Sequence, residues 1–346
     1  MLPQPAAVFM AVCCFSCGWK KCICYSPWYD VLFCAGCGSV TMRIERLVVV
    51  FLDGVGLGET DPTKNPLARA DMPIVRSLLD GGCLVREQAG AVTRHASLLA
   101  LDARLGVPGL PQSGTGQTTL LTGVNAPALL GYHDGPYPNQ QLRALLGRAN
   151  LFRSLAASGH PVAYANAYTD RFLHRIARGT QRLSANSWAA LLAGLTLRGA
   201  QELQTGQAVS GLLTNDYFHQ QGYKVPLITP EQAGRNLALL AREHTLSYFE
   251  LWITDLAGHR QDWELALNLL QQLDRFLSGI LGHLDLTRSA VFVISDHGNL
   301  EDMSTSRHTL NPAMALLIGA HHAAMAAQLN DLTDVTPTLL STMTQT

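Results

Sequence analysis

Aspartate and histidine recur in this 346-residue chain at spacings that suit a bound cation. Asp255 and His259 form D-x-x-x-H, with Gly258 beside the histidine. Asp296 and His297 are adjacent in SDHGN, and His308 follows eleven residues after His297. Asp53 stands in LDGVG. Mixed carboxylate and imidazole donors suit Zn2+ or Mn2+, with Mg2+ as a further option where oxygens dominate. After residue 37 the only cysteine is Cys83, so a four-cysteine structural site is excluded there. A single histidine or aspartate most often packs, caps or faces solvent. The joint order of these six carries the signal.

A second candidate is the run Gln112-Ser113-Gly114-Thr115-Gly116-Gln117-Thr118-Thr119. A serine in a glycine-rich turn that opens a helix is placed for nucleophilic work. The helix N-terminus favours both an alkoxide and an incoming phosphate. The plain alternative is an N-cap serine. GTGQTT also approximates a P-loop, but Gln117 stands where the phosphate-binding lysine is needed. Gly54-x-Gly56-x-Gly58 misses the dinucleotide spacing, and Asp53 stands where the turn should begin.

These groups need a frame. Residues 47–52 (LVVVFL) and 289–295 are continuous apolar, β-branched runs, as expected of strands buried on both faces. A third strand is expected at 248–254, and further strands at 161–168 and 314–318. Each of the first three ends at an aspartate: Asp53, Asp296 and Asp255. Helices are expected at 72–79, 114–122, 150–158, 230–244 (capped by Thr229), 263–284 and 334–342. Residues 96–105 are apolar and fit either state. The alternation predicts a doubly wound α/β fold, with a mostly parallel sheet and helices on both faces. Ligands then gather beyond the carboxyl ends of the strands. Residues 169–228, rich in Gln, Thr, Gly and Asn, read as a small insertion or cap with a helical stretch near 187–195. The core is then 42–168 with 229–346.

Composition narrows the function. Lys+Arg 25 against Asp+Glu 26 gives a net charge of -1, which argues against a nucleic-acid-binding role. Seven of the eight cysteines fall in the first 37 residues. Residues 1–41 have three readings. Cys14-x-x-Cys17 and Cys34-x-x-Cys37 have the spacing of a zinc ribbon. Residues 6–16 are apolar like an export signal, but no positive charge precedes them. The reading favoured is a spurious or disordered extension, because composition changes abruptly at Met42 and a strong strand follows.

Asp53, the SGTGQ loop, D-x-x-x-H, SDHGN and His308 together resemble the alkaline phosphatase superfamily. Within it the chain is most similar to the branch of cofactor-independent phosphoglycerate mutase and phosphopentomutase, especially its shorter metalloenzyme members. The resemblance spans about residues 42–342. It implies two divalent ions, Mn2+ or Zn2+ with Mg2+ an option. One would be held by Asp255, His259 and His308. The other would be held by Asp53, Asp296 and His297, with Ser113 completing its shell. Ser113 matches the nucleophile that becomes phosphorylated, and Thr115 is the alternative if the register shifts. The implied reaction is phosphoryl transfer through phosphoserine on a small phosphate ester. The insertion is smaller than the mutases' cap, and a mutase must enclose its intermediate against water. A phosphatase or phosphodiesterase is therefore favoured over a phosphomutase, with a non-catalytic metal-binding module as the remaining alternative. His133, Asn166 and Arg171 are candidate substrate contacts. The expected partner is a small phosphorylated substrate, not nucleic acid or membrane, and the expected location is the cytoplasm.

Overall fold

The computed structural model describes residues 43–344 and, before them, the backbone of three short strands, Ala11–Val12, Ile23–Ser26 and Tyr29–Phe33, paired antiparallel in that order. Those strands belong to a unit separate from Arg43–Gln345. The zinc-ribbon and export-signal expectations on Cys14, Cys17, Cys34, Cys37 and residues 6–16 lie outside the described residues.

The main unit is built on one six-stranded sheet. Its strands are β1 (Arg46–Leu52), β2 (Ala96–Leu101), β3 (Val162–Tyr164), β4 (Leu246–Leu251), β5 (Ser289–Ser295) and β6 (Ala313–Gly319). The order across the sheet is β2-β6-β5-β1-β4-β3. Pairings β5–β1, β1–β4 and β4–β3 are parallel, and β6 runs antiparallel to both β5 and β2. The expected mostly parallel, doubly wound sheet is what forms, with one strand reversed. The apolar run at residues 96–105 settles as strand for its first half only.

Side chains along a strand alternate between faces. On β1, Val48, Val50 and Leu52 enter one apolar core, and Leu47, Val49 and Phe51 enter the other. That is why the run is apolar throughout rather than alternating. The principal helices, in chain order, are α1 (Ser113–Thr122), α2 (Leu151–Ala157), α3 (Ala185–Leu192), α4 (Pro230–Ala241), α5 (Ile253–Arg260), α6 (Trp263–Leu281) and α7 (Val335–Thr344). Helices α4 and α6 cover the first face, whereas α1, α2, α3 and α7 cover the second. Thr229 caps α4 in a capping box with Gln232, and Pro230 takes the first turn, as its sequence predicts. Among the described residues, no helix is long and apolar enough to cross a membrane.

Two expectations change. The third strand stops at Leu251, and Asp255 lies in the first turn of α5 rather than at a strand end. Trp252, Ile253 and Thr254 are β-formers by type, but Trp252, the N-cap of α5, already has helical backbone angles. The Thr254 hydroxyl donates to Asp53 O at 2.6 Å, which holds the turn closed. Residues 161–168 split into β3 and the two-residue strand Asn166–Ala167. That short strand leaves the main sheet to pair in parallel with Val209–Ser210. Residues 169–228 carry α3, whose residues Ala185, Ala189 and Ala190 are buried in the second core. They also carry the short helices Ala200–Gln204 and Asp216–Gln220, which bring Leu203 and Phe218 into a small cluster with Ala167, Ala208 and Val225.

Helices α4 and α6 approach so closely that neither contact glycine has room for a side chain. A Cβ on Gly234 would run into Phe276 O, and one on Gly279 into Glu231 O. Alanine is favoured over glycine inside a helix by about 1 kcal/mol. Overpacking a tight contact costs about 1–3 kcal/mol or more. Backbone against backbone leaves little room to relax, so Gly279→Ala is expected to lower the melting temperature, by roughly 5 °C for a chain of this size. A melting curve at or above wild type would show that the helices separate freely.

Candidate metal centre

The sheet order explains where the site forms. β1 is central, with β4 and β5 on either side. Asp53 follows β1, Asp255 follows β4 by one helical turn, and Asp296 follows β5. Residues remote in sequence thus meet at the carboxyl end of three adjacent parallel strands.

Ser113 opens α1 and is 3% exposed. Its Oγ donates toward Asp53 Oδ1 at 3.3 Å and lies 3.0 Å from His297 Nε2. Gln117, one turn along α1, donates from Nε2 to Asp53 Oδ2 at 3.2 Å. The i, i+4 spacing therefore sets both side chains against one carboxylate. The glycines between them admit this approach. A Cβ on Gly114 would lie 2.7 Å from Asp134 O, and one on Gly116 would lie 2.9 Å from Asp296 O. Thr115 is turned away, and its hydroxyl donates to Gln112 O at 3.1 Å.

Asp255 and His259 share one face of α5, with His259 Nε2 3.2 Å from Asp255 Oδ2. His308 Nε2 lies 3.5 Å from Asp255 Oδ1 and 3.1 Å from His259 Nε2. His259 Nδ1 faces Ser306 O at 2.8 Å, and His308 Nδ1 faces Pro111 O at 2.7 Å. A carbonyl only accepts, so each ring carries its proton on Nδ1 and turns an Nε2 lone pair inward. This is the outer arrangement that orients metal-bound imidazoles. His297 Nε2 lies 3.3 Å from Asp53 Oδ1 and 3.6 Å from Asp296 Oδ2, with its ring stacked on His308.

All seven predicted residues converge. Donor atoms of Asp255, His259 and His308 lie within 4.8 Å of one another, and so do those of Asp53, Asp255 and His297. The first group is the expected one. In the second, the Asp255 carboxylate joins Asp53 and His297, so one carboxylate serves both groups. Asp296 adjoins this group, its Oδ2 3.6 Å from His297 Nε2.

The electrostatics ask for positive charge. Burial raises the Asp53 carboxyl above its ordinary range, against the opposing hydrogen bond of His297. Burial raises that of Asp296 well above it. Burial would raise Asp255 too, but His259, His297, Asn299 and His308 hold it at about 2. His297 is pushed up to about 10 despite burial, because Asp296 and Asp53 surround it. Asp296 Oδ2 is fully buried with no hydrogen-bond partner among the described residues. His259 Nε2 and His308 Nε2 also stand only 3.1 Å apart, with each ring's Nδ1 already facing a backbone carbonyl. These donors fit divalent cations.

The three proposed substrate contacts are not among the clustered donors. Asn166 is 3% exposed, and its amide donates to Glu250 O at 2.7 Å and accepts from Glu250 N at 2.8 Å. It extends the strand ladder after β3 and is not free to meet a substrate. Arg171 is exposed on the helix Asp170–Ala177, and no hydrogen bond or ion pair joins it to the cluster among the described residues. His133 Nε2 lies 3.2 Å from Val107 O, and burial, with His297 nearby, lowers its imidazole below the ordinary range. Three supporting residues had gone unassigned. Gln117 and Asn299 stand inside the quoted motifs, and Asn299 Nδ2 donates to Asp255 Oδ1 at 2.6 Å. Glu301 lies two residues beyond SDHGN, buried among backbone and side-chain donors. Its one legible signal was a carboxylate so close to the motif.

Metal content tests the shared carboxylate. Equilibrium dialysis against Mn2+ should show His259→Ala retaining one ion fewer than wild type, and Asp255→Asn losing most of both. A folded Asp255→Asn protein with wild-type content would remove the shared role.

Comparison with known proteins agrees with this geometry. Residues 231–345 match the family model described as Metalloenzyme superfamily. Over 98 residues the chain is 35% identical to a 2,3-bisphosphoglycerate-independent phosphoglycerate mutase of Agrobacterium fabrum. That match covers 26% of this chain and only 19% of the mutase. The fold of the PH0037 protein from Pyrococcus horikoshii is similar at a TM-score of 0.52 and 12% identity, covering 87% of this chain and 98% of that one. Leishmania mexicana phosphoglycerate mutase is similar at 0.52 and 10%, covering 87% and 96%. In fold, and in sequence over residues 231–345, the chain is thus similar to the Metalloenzyme superfamily and to phosphoglycerate mutases.

Proposed function

We propose that the protein is a divalent-metal-dependent phosphoryl-transfer enzyme that uses Ser113 as nucleophile on a small phosphate ester. One observation carries the reading. The Ser113 hydroxyl sits at the N-terminus of α1, 3.3 Å from Asp53 Oδ1 and 3.0 Å from His297 Nε2, against the acidic and imidazole cluster. When bound, divalent cations would supply positive charge that favours the serine alkoxide and neutralises phosphoryl oxygens. Asp53, Asp255, His259, Asp296, His297 and His308 are the residues that would hold them. Ser113 Oγ attacks phosphorus in line, the bond from phosphorus to the leaving oxygen breaks, and phosphoserine forms. The first turn of α1 adds its dipole to the binding of the phosphoryl group. Asp53, braced by Gln117, fixes the hydroxyl for attack.

The acceptor in the second step decides the class. Residues 169–228, read as a small cap, favour water as acceptor and so a phosphatase or phosphodiesterase. A mutase reading is supported by the identity to phosphoglycerate mutases over the matched quarter of the chain. In that case the acceptor is a second hydroxyl of the substrate.

Purified protein loaded with Mn2+ or Zn2+ should turn over p-nitrophenyl phosphate or its bis-ester. Ser113→Ala should lower kcat by about 1000-fold or more, in line with removal of an enzyme's nucleophile. Thr115→Ala should keep substantial activity. Interconversion of 3- and 2-phosphoglycerate without release of phosphate would select the mutase. Full turnover in Ser113→Ala would defeat the serine mechanism.

A further inference from the structure

Glu301 is 1% exposed, and no cationic side chain pairs with it among the described residues. Its Oε2 accepts from Gly56 N and from Asn299 N, each at 2.8 Å. Its Oε1 accepts from the Thr309 hydroxyl and, at 3.0 Å, from Asn311 Nδ2. An ionised carboxylate has about four acceptor positions, and these four donors fill them. Bonds to a charged acceptor are also the stronger kind. Glu301 is therefore engaged and does not serve as a ligand itself.

The donors come from three separate loops. Gly56 lies three residues after Asp53, Asn299 two after His297, and Thr309 directly after His308. The Asn299 side chain continues the chain of bonds, donating to Asp255 Oδ1 at 2.6 Å and to Asp255 O at 3.1 Å. The surrounding backbone is shaped for this carboxylate. A Cβ on Gly56 would lie 2.6 Å from Glu301 Oε1, and one on Gly298 would collide with the same atom.

We propose that Glu301 is the positioning residue of the metal centre. A single acceptor ties the loops that carry Asp53, His297 and His308 and, through Asn299, the helix that carries Asp255. It sets the spacing of the ligands without touching the ions. This inference rests on the metal-site reading above and does not depend on which phosphoryl acceptor is used.

Calorimetric titration of the metal-stripped full chain with Mn2+ tests it, with the folded state checked by the melting curve of each metal-free variant. Glu301→Ala should bind Mn2+ about 10–100-fold more weakly while still folded, the range for loss of an outer-shell partner. Glu301→Gln should recover most of that loss, because its carbonyl oxygen still accepts both backbone N–H groups. A purely architectural residue would lower the metal-free melting temperature and leave the affinity of the folded protein unchanged. Should Glu301→Ala not fold, the double variant Thr309→Val, Asn311→Ala decides by removing both donors to Oε1. It should weaken Mn2+ at least tenfold. Wild-type affinity in a folded Glu301→Ala, or in that double variant, overturns the inference alone. A wild-type protein that binds no Mn2+ overturns the metal reading, and this inference with it.

Discussion

Three carboxylates are forced together at one end of a buried sheet, and much of the surrounding structure answers that constraint. Donor atoms of Asp53 and Asp255 lie within 4.8 Å. Two negative charges at that distance repel by about 3 kcal/mol at an effective dielectric near 20. Asp296, fully buried, adds a third. Left alone, such groups would protonate or move apart. Three imidazoles stand among them instead, two of them locked by backbone carbonyls so that their lone pairs face inward. The arrangement lowers its energy by taking up positive charge, which a divalent cation supplies and a side-chain proton supplies only in part.

A cluster under that repulsion needs a frame stronger than itself. The frame is the β5–β1–β4 strip, whose parallel register is continuous along all seven residues of β1 on the β5 side. Glycines at 54, 56, 114, 116 and 298 let neighbouring backbone and carboxylates approach where a Cβ would intrude. Gly54 also has a positive φ of 67°, a conformation that most side chains resist. Gly54 and Gly56 belong to the turn directly after Asp53.

Behind the cluster lies a second polar layer, reached through Gln117. Its Nε2 holds Asp53, and its Oε1 accepts from Ala185 N at 3.1 Å at the start of α3. The same end of α3 surrounds Glu250. That carboxyl is pushed up to about 7 by burial, although Tyr164, Asn186 and Ser184 hydrogen-bond to it. Residues 169–228 are thus bonded to the site through α3.

Much of this was legible in the sequence. Continuous β-branched runs signalled strands buried on both faces, and a capped, proline-led segment signalled α4. The order of Asp53, Ser113, Asp255, His259, Asp296, His297 and His308 named the cluster, because each type and spacing carries its own chemistry. Local patterns did not show that β-forming residues 252–254 turn into helix. They did not show that Asn166 pairs with strand backbone, or that Asp255 stands within reach of Asp53 and His297 as well as of His259 and His308. Those outcomes depend on which strands become neighbours. That order is decided by packing two apolar faces at once, between residues as far apart as 53 and 296, where neither propensity nor spacing reaches.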